Sequence, residues 1–156
     1  MAKSDDSSSE KTELLLNLSL STESNWEILV NTGDKNFLSK IKNFLSGNEQ
    51  LKIENVKFGC DALIACAKKI PDLLIIDEKL PDIPSEMVIK SLKRSNELKN
   101  IKILYCIISS KANDVSDLEV DDYVNKNDLD KSCLKKKINS LLYTSSLPSY
   151  HLPTLF

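Results

Sequence analysis

Asp77 is the residue best placed to do chemistry. It closes the uninterrupted apolar run Leu73-Leu74-Ile75-Ile76, a pattern that suits a strand buried on both faces of a parallel sheet. Pro81 and Pro84 then mark a loop, and the chain from Ser85 reads as a helix start. In an open α/β sheet, ligands and chemistry collect at the carboxyl edge of the strands. A carboxylate at that edge is placed for chemistry, unless it only begins a turn, as Asp often does.

The flanking elements must position that edge. Ile28-Leu29-Val30 is a short buried strand, and Asn31-Thr32-Gly33-Asp34 is a loop with helix-capping residues. Phe37, Ile41, Phe44 and Leu45 share one face of a helix, which Gly47-Asn48 stops. Residues 51–56 alternate with period two, as an edge strand with one wet face does. Residues 61–69 have high helix propensity, with Asp61 near the start and Lys68 and Lys69 at the end, as the macrodipole prefers. After the Asp77 strand, a helix carries Val88, Ile89 and Leu92 inward, and residues 101–108 form a second fully buried strand ending at Ser109-Ser110. Residues 111–120 are polar and weakly periodic, with room for a short helix at most. Residues 121–126 form a last short strand, and Leu134, Ile138, Leu141 and Leu142 line a terminal helix. Strands alternating with helices in this way predict a parallel sheet with right-handed crossovers and helices on both faces.

At 156 residues the chain is one ordinary domain with tails. Its 21 basic and 23 acidic side chains give a formal net charge of -2, which offers no global electrostatic case for nucleic acid or an anionic membrane. No apolar run approaches a membrane span, and the Ser- and Asp-rich start lacks the pattern of a signal peptide. A cytoplasmic protein is expected. Cys60, Cys66, Cys106 and Cys133 form no CxxC pair and His151 is the one histidine, so a structural zinc site is not expected. Residues 1–25 read as a disordered leader with a short leucine-rich helix (Leu14, Leu15, Leu16, Leu18, Leu20), residues 26–143 as the folded domain, and residues 144–156 as an irregular tail.

With these residues in order, the chain resembles the receiver domain of two-component response regulators over 26–143. Pro71-Asp72-Leu73-Leu74-Ile75-Ile76-Asp77-Glu78-Lys79-Leu80-Pro81 is similar to the family's phosphoacceptor strand and the turn after it. Asp121-Asp122-Tyr123-Val124-Asn125-Lys126 is similar to its last strand. The resemblance implies a flavodoxin-like, doubly wound five-stranded sheet in the order 2-1-3-4-5. It places Asp77 on the phosphorylated aspartate, Lys126 on the phosphate-contacting lysine and Tyr123 on the aromatic switch position. It also implies Mg²⁺ as cofactor, and a histidine kinase or phosphotransfer protein and a downstream signalling protein as partners.

The departures from the family fall on one operation. The family's two acidic residues after the first strand are here Asn31 and Thr32. Its hydroxyl after the fourth strand falls on Ile107, and only a two-residue slip brings Ser109 there. The proline after the lysine is Asn127, the 111–120 segment is short, and Ser85 stands at a frequent glycine. Phosphoryl transfer to a carboxylate needs a cation to neutralise charge build-up, and Mg²⁺ favours carboxylate oxygens in octahedral geometry. An amide and a hydroxyl supply oxygen without charge, so Mg²⁺ affinity at Asp77, Asn31 and Thr32 is expected to fall steeply. Asp34 either substitutes as a ligand or caps the following helix. Lys126 either pairs lastingly with Asp77 or snorkels to solvent.

Three function classes follow from these features. The expected one is a receiver-like module acting by protein–protein contact with weak or absent phosphorylation at Asp77. The alternative is an ordinary Mg²⁺-dependent phosphoaccepting receiver. An aspartyl-phosphate hydrolase needs a second acid two positions on, and position 79 is a lysine, so no enzyme is expected. No helix-turn-helix follows residue 143, and Lys135-Lys136-Lys137 reads as a solvated helix face. A short 111–120 segment would leave apolar surface around Tyr105, Tyr123 and the last helix. The leader, the tail or a second copy of the chain would then cover it.

Overall fold

The computed structural model describes residues 25–108 and 118–143. The elements run β1 (Trp26–Asn31), α1 (Lys35–Leu45), β2 (Leu51–Val56), α2 (Gly59–Lys68), β3 (Leu73–Asp77), α3 (Ser85–Arg94), β4 (Lys102–Ile107), β5 (Asp122–Asn125), a 3-10 turn (Lys126–Asp128) and α4 (Lys131–Tyr143). All five strands pair in parallel in the order β2-β1-β3-β4-β5. This is the doubly wound sheet that the strand–helix alternation predicts.

Strand β3 is central and buried along its whole length, which is why it carries no polar residue before Asp77. Its side chains alternate between two apolar layers. Leu73 and Ile75 join Ile28, Val30, Leu104 and Cys106 under α1 and α4. Leu74 and Ile76 join Leu29, Ile103, Tyr105 and Ile107 under α2 and α3. Helix α1 buries Phe37, Ile41 and Leu45, and α4 buries Leu134, Ile138, Leu141 and Leu142. Strand β2 lies at one edge with Lys52 and Glu54 on its exposed face, 3.8 Å apart.

Helix α2 begins without a capping side chain of its own, because Phe58 occupies the cap position. Asp82, in the loop after β3, supplies the cap: its carboxylate accepts from Gly59 N at 2.7 Å and Cys60 N at 3.0 Å. Gly59 fits this junction closely, since a Cβ there would lie 2.7 Å from Ile83 Cγ1 and 2.9 Å from Val88 Cγ2 and would force one of them to shift.

One expectation is corrected. Tyr105 is not part of an open apolar surface; it is 3% exposed, because it points with Ile103 and Ile107 into the layer under α3. Tyr123, at 41%, is exposed. The leader at 1–24, residues 109–117 with Ser109, and the tail at 144–156 with His151 lie outside the described residues.

Candidate functional site

Parallel register brings the carboxyl ends of β1, β3, β4 and β5 together. Asn31 pairs with Ile76, Asp77 with Cys106, and Ile107 with Asn125. Thr32, Asp77 and Lys126 therefore converge although 94 positions separate the first from the last (126 − 32).

Asp77 is 1% exposed and its carboxylate is fully engaged. Oδ2 accepts from Thr32 Oγ1 at 2.7 Å and from Lys126 Nζ at 2.9 Å. Oδ1 accepts from Lys79 N at 3.2 Å. Thr32 Oγ1 in turn accepts from Asp34 N at 3.0 Å, so both its proton and a lone pair are committed. The lysine does not snorkel: its side chain is 11% exposed.

Asp34 caps α1, the second of the two alternatives read for it, and also reaches the pocket through a contact with Lys126 that the sequence did not suggest. Its Oδ1 accepts from Asn36 N and Phe37 N, capping α1, while Oδ2 lies 3.1 Å from Lys126 Nζ. The Phe37 N–H, aided by Lys126, holds the Asp34 carboxyl below the ordinary aspartate value. Burial works against the charge on Lys126, but its bonds to Asp77 and Asp34 outweigh that and hold the ammonium above its usual value. The ring of Phe37 completes the cage, with its centroid 4.5 Å from Nζ.

Asn31 turns away from this cluster. Its amide Nδ2 donates to Val56 O and Phe58 O at 3.1 and 3.2 Å, tying the end of β1 to the end of β2. Its Oδ1 is buried with no partner among the described residues. Ile107 ends β4 as a buried side chain without a hydroxyl.

A different set of contacts links the Asp77 loop to β4. Ser85 Oγ donates to Glu78 O at 2.9 Å and lies 2.9 Å from Tyr105 Oη, and the Glu78 carboxylate accepts from Ile108 N at 3.2 Å. The sequence drew no attention to Glu78 or Asp82, nor to Phe37 as a partner of Lys126. For Asp82 a signal existed: Lys57-Phe58 before α2 offers no capping side chain, so a cap had to come from elsewhere.

These donors do not fit a divalent cation of the Mg²⁺ kind. Both Asp77 oxygens are engaged, one by an ammonium at 2.9 Å, and using Thr32 would break two hydrogen bonds. Asn31 Oδ1 is the one spare oxygen of these side chains, and it is neutral. Among the described residues, no group of three or more His, Cys, Asp or Glu could hold a metal.

No protein-family model matches the sequence, and no curated protein matches it either. Solved structures do match. The signal receiver domain of a histidine kinase from Syntrophus aciditrophicus aligns at 24% identity and TM-score 0.68, over 84% of this chain and 99% of that one. The phosphorylated cyanobacterial phytochrome response regulator aligns at 22% and TM-score 0.69, over 80% and 99%. The receiver domain of a sensor histidine kinase from Pseudomonas aeruginosa PAO1, with magnesium coordinated in its active-site cleft, aligns at 15% and TM-score 0.69, over 76% and 98%. The chain has the fold of response-regulator receiver domains. Among the described residues, no helix is long and apolar enough to cross a membrane.

Proposed function

We propose that this chain is a receiver-like module of two-component signal transduction that works by protein–protein contact, with little or no phosphorylation at Asp77. The observation that carries this reading is the state of the Asp77 carboxylate, hydrogen-bonded by Thr32 and paired with Lys126 in a buried pocket. A carboxylate held in this way is a poor nucleophile, and the charge that would recruit Mg²⁺ is replaced by Asn31 and Thr32. The domain so defined spans 26–143. Its partners would be a histidine kinase or phosphotransfer protein upstream and a signalling protein downstream, or a second copy of the chain. Neither nucleic acid nor membrane is among them, the setting is cytoplasmic, and the module is not an enzyme.

The ordinary Mg²⁺-dependent phosphoacceptor is the second reading. The shared position of Asp77 and Lys126 at the carboxyl edge of the sheet favours it, together with the magnesium-bound receiver among the similar structures. Intact mass after incubation with acetyl phosphate and Mg²⁺, run beside Asp77→Asn, separates the two. The parent is expected to gain no phosphate. One phosphate on the parent and none on the variant would establish the ordinary relay. Asn31→Asp with Thr32→Asp is expected to raise Mg²⁺ affinity by orders of magnitude, since each charge-assisted contact contributes about 1.5–3 kcal/mol. If that variant still refuses phosphate, the missing hydroxyl at Ile107 becomes the cause.

A further inference from the structure

We propose that Lys126 is the resident cation of the pocket, and that Asp34 and Phe37 position it there and so keep the pocket closed to a divalent ion. The inference rests on the reading of Asp77 given above and deepens it by naming what regulates the site.

An ammonium has three N–H donors. For Lys126, Asp77 Oδ2 lies at 2.9 Å, Asp34 Oδ2 at 3.1 Å, and the Phe37 ring faces the nitrogen with its centroid at 4.5 Å. Two carboxylates and an aromatic face leave the charge neutralised on three sides with little solvent access, the desolvated setting in which ring–cation attraction is largest. Asp34 is aimed independently of the lysine. Its other oxygen is fixed by two backbone N–H groups at the start of α1, so the second carboxylate is preorganised by the helix cap. The element that positions Asp34 also carries Phe37, and α1 therefore presents both holders of Lys126 from one turn.

Withdrawing the lysine would change the character of the pocket. Asp77 Oδ2 and Asp34 Oδ2, both now on Lys126 Nζ, would each lose their cation. Oxygen ligands with two negative charges are what Mg²⁺ or Mn²⁺ takes. Lys126 thus stands in for the ion rather than assisting it.

The test uses the full chain and two variants. Lysine ammonium groups held in buried pairs exchange slowly with water and give ¹H–¹⁵N correlations, whereas solvated ones do not. The parent is expected to show a Lys126 signal, assigned by its disappearance in Lys126→Met. Asp34→Asn keeps the capping oxygen of α1 but removes the charge, and is expected to abolish or broaden that signal. Millimolar Mn²⁺ is expected to leave the Thr32, Asp77 and Lys79 amides of the parent sharp and to broaden them in Lys126→Met. The proposal is overturned if the parent and Lys126→Met broaden at the same Mn²⁺ concentration or if neither broadens. It is also overturned if Asp34→Asn leaves the Lys126 signal unchanged. Should Lys126→Met fail to fold with Asp77 unpaired, Asp34→Asn decides alone, the signal then being assigned by ordinary resonance assignment. None of these readings requires a phosphodonor or a partner, so this inference can fail while Asp77 still refuses phosphate, and the two failures are read separately.

Discussion

At the scale of single residues, Asp82 and Asp34 matter as much as Asp77, because each fixes a helix start through backbone N–H groups. The Cys60 N–H, with those of Gly59 and Ile83, holds the Asp82 carboxyl far below the usual 3.8. A group whose folded pKa is depressed contributes stability above its unfolded pKa and loses it as the pH falls toward the folded value. Stability should therefore decline as the pH drops through and below the ordinary aspartate range, and Asp82→Asn should flatten that decline. Urea midpoints measured across the acid range check this; an unchanged acid limb in the variant would remove Asp82 from the account. Asp77 was legible in the sequence because a strand end fixes where it must lie, whereas Lys126 was singled out by the family resemblance. The cage around Lys126 was not, since Phe37 reads only as an inner-face helix residue. Nothing in spacing tells that its ring will lie under a lysine 89 positions later (126 − 37).

At the scale of elements, the strands and helices followed from periodicity, and the joint between α2 and α3 did not. The absence of a Cβ at Gly59 lets Ile83 and Val88 close over the start of α2. Gly59→Ala should cost about 1–3 kcal/mol, the usual range for overpacking a filled site. Gly33→Ala is the control, because its Cβ would meet Pro81 Cγ at 3.4 Å, an ordinary contact, and should leave the midpoint nearly unmoved. Chemical denaturation of the two variants decides the matter: equal midpoints would show that α3 yields freely. The missed joint has a physical reason. A glycine at a helix start is compatible with a turn, a cap or close packing, and only the tertiary neighbours choose among them.

At the scale of the molecule, one sheet separates two apolar layers, and the buried residues of its inner strands alternate between them. Neither layer has a second surface to rest on, so the described region should unfold as a unit. Trp26 is the single tryptophan, and its ring meets Tyr143 of α4 edge-on with centroids 5.5 Å apart, at the end of the sheet away from Asp77. Its fluorescence should report the docking of α4 on β1 and give the same urea midpoint as far-UV circular dichroism. Separate midpoints would show that the α4 layer opens independently. Native emission should be the same in the parent and Asp77→Asn, because the pocket lies at the opposite edge.

The polar faces of the outer strands have a consequence for how anything can attach. β2 turns Lys52 and Glu54 outward, and β5 is only four residues long, with Asp122 clamped by Lys137 at 3.0 Å. Charged and abbreviated margins of this kind resist the addition of a foreign strand. A binding partner, or another copy of the chain, is thereby directed to helix surfaces and loops, and the sheet is guarded against the edge-to-edge stacking that begins fibrous aggregation.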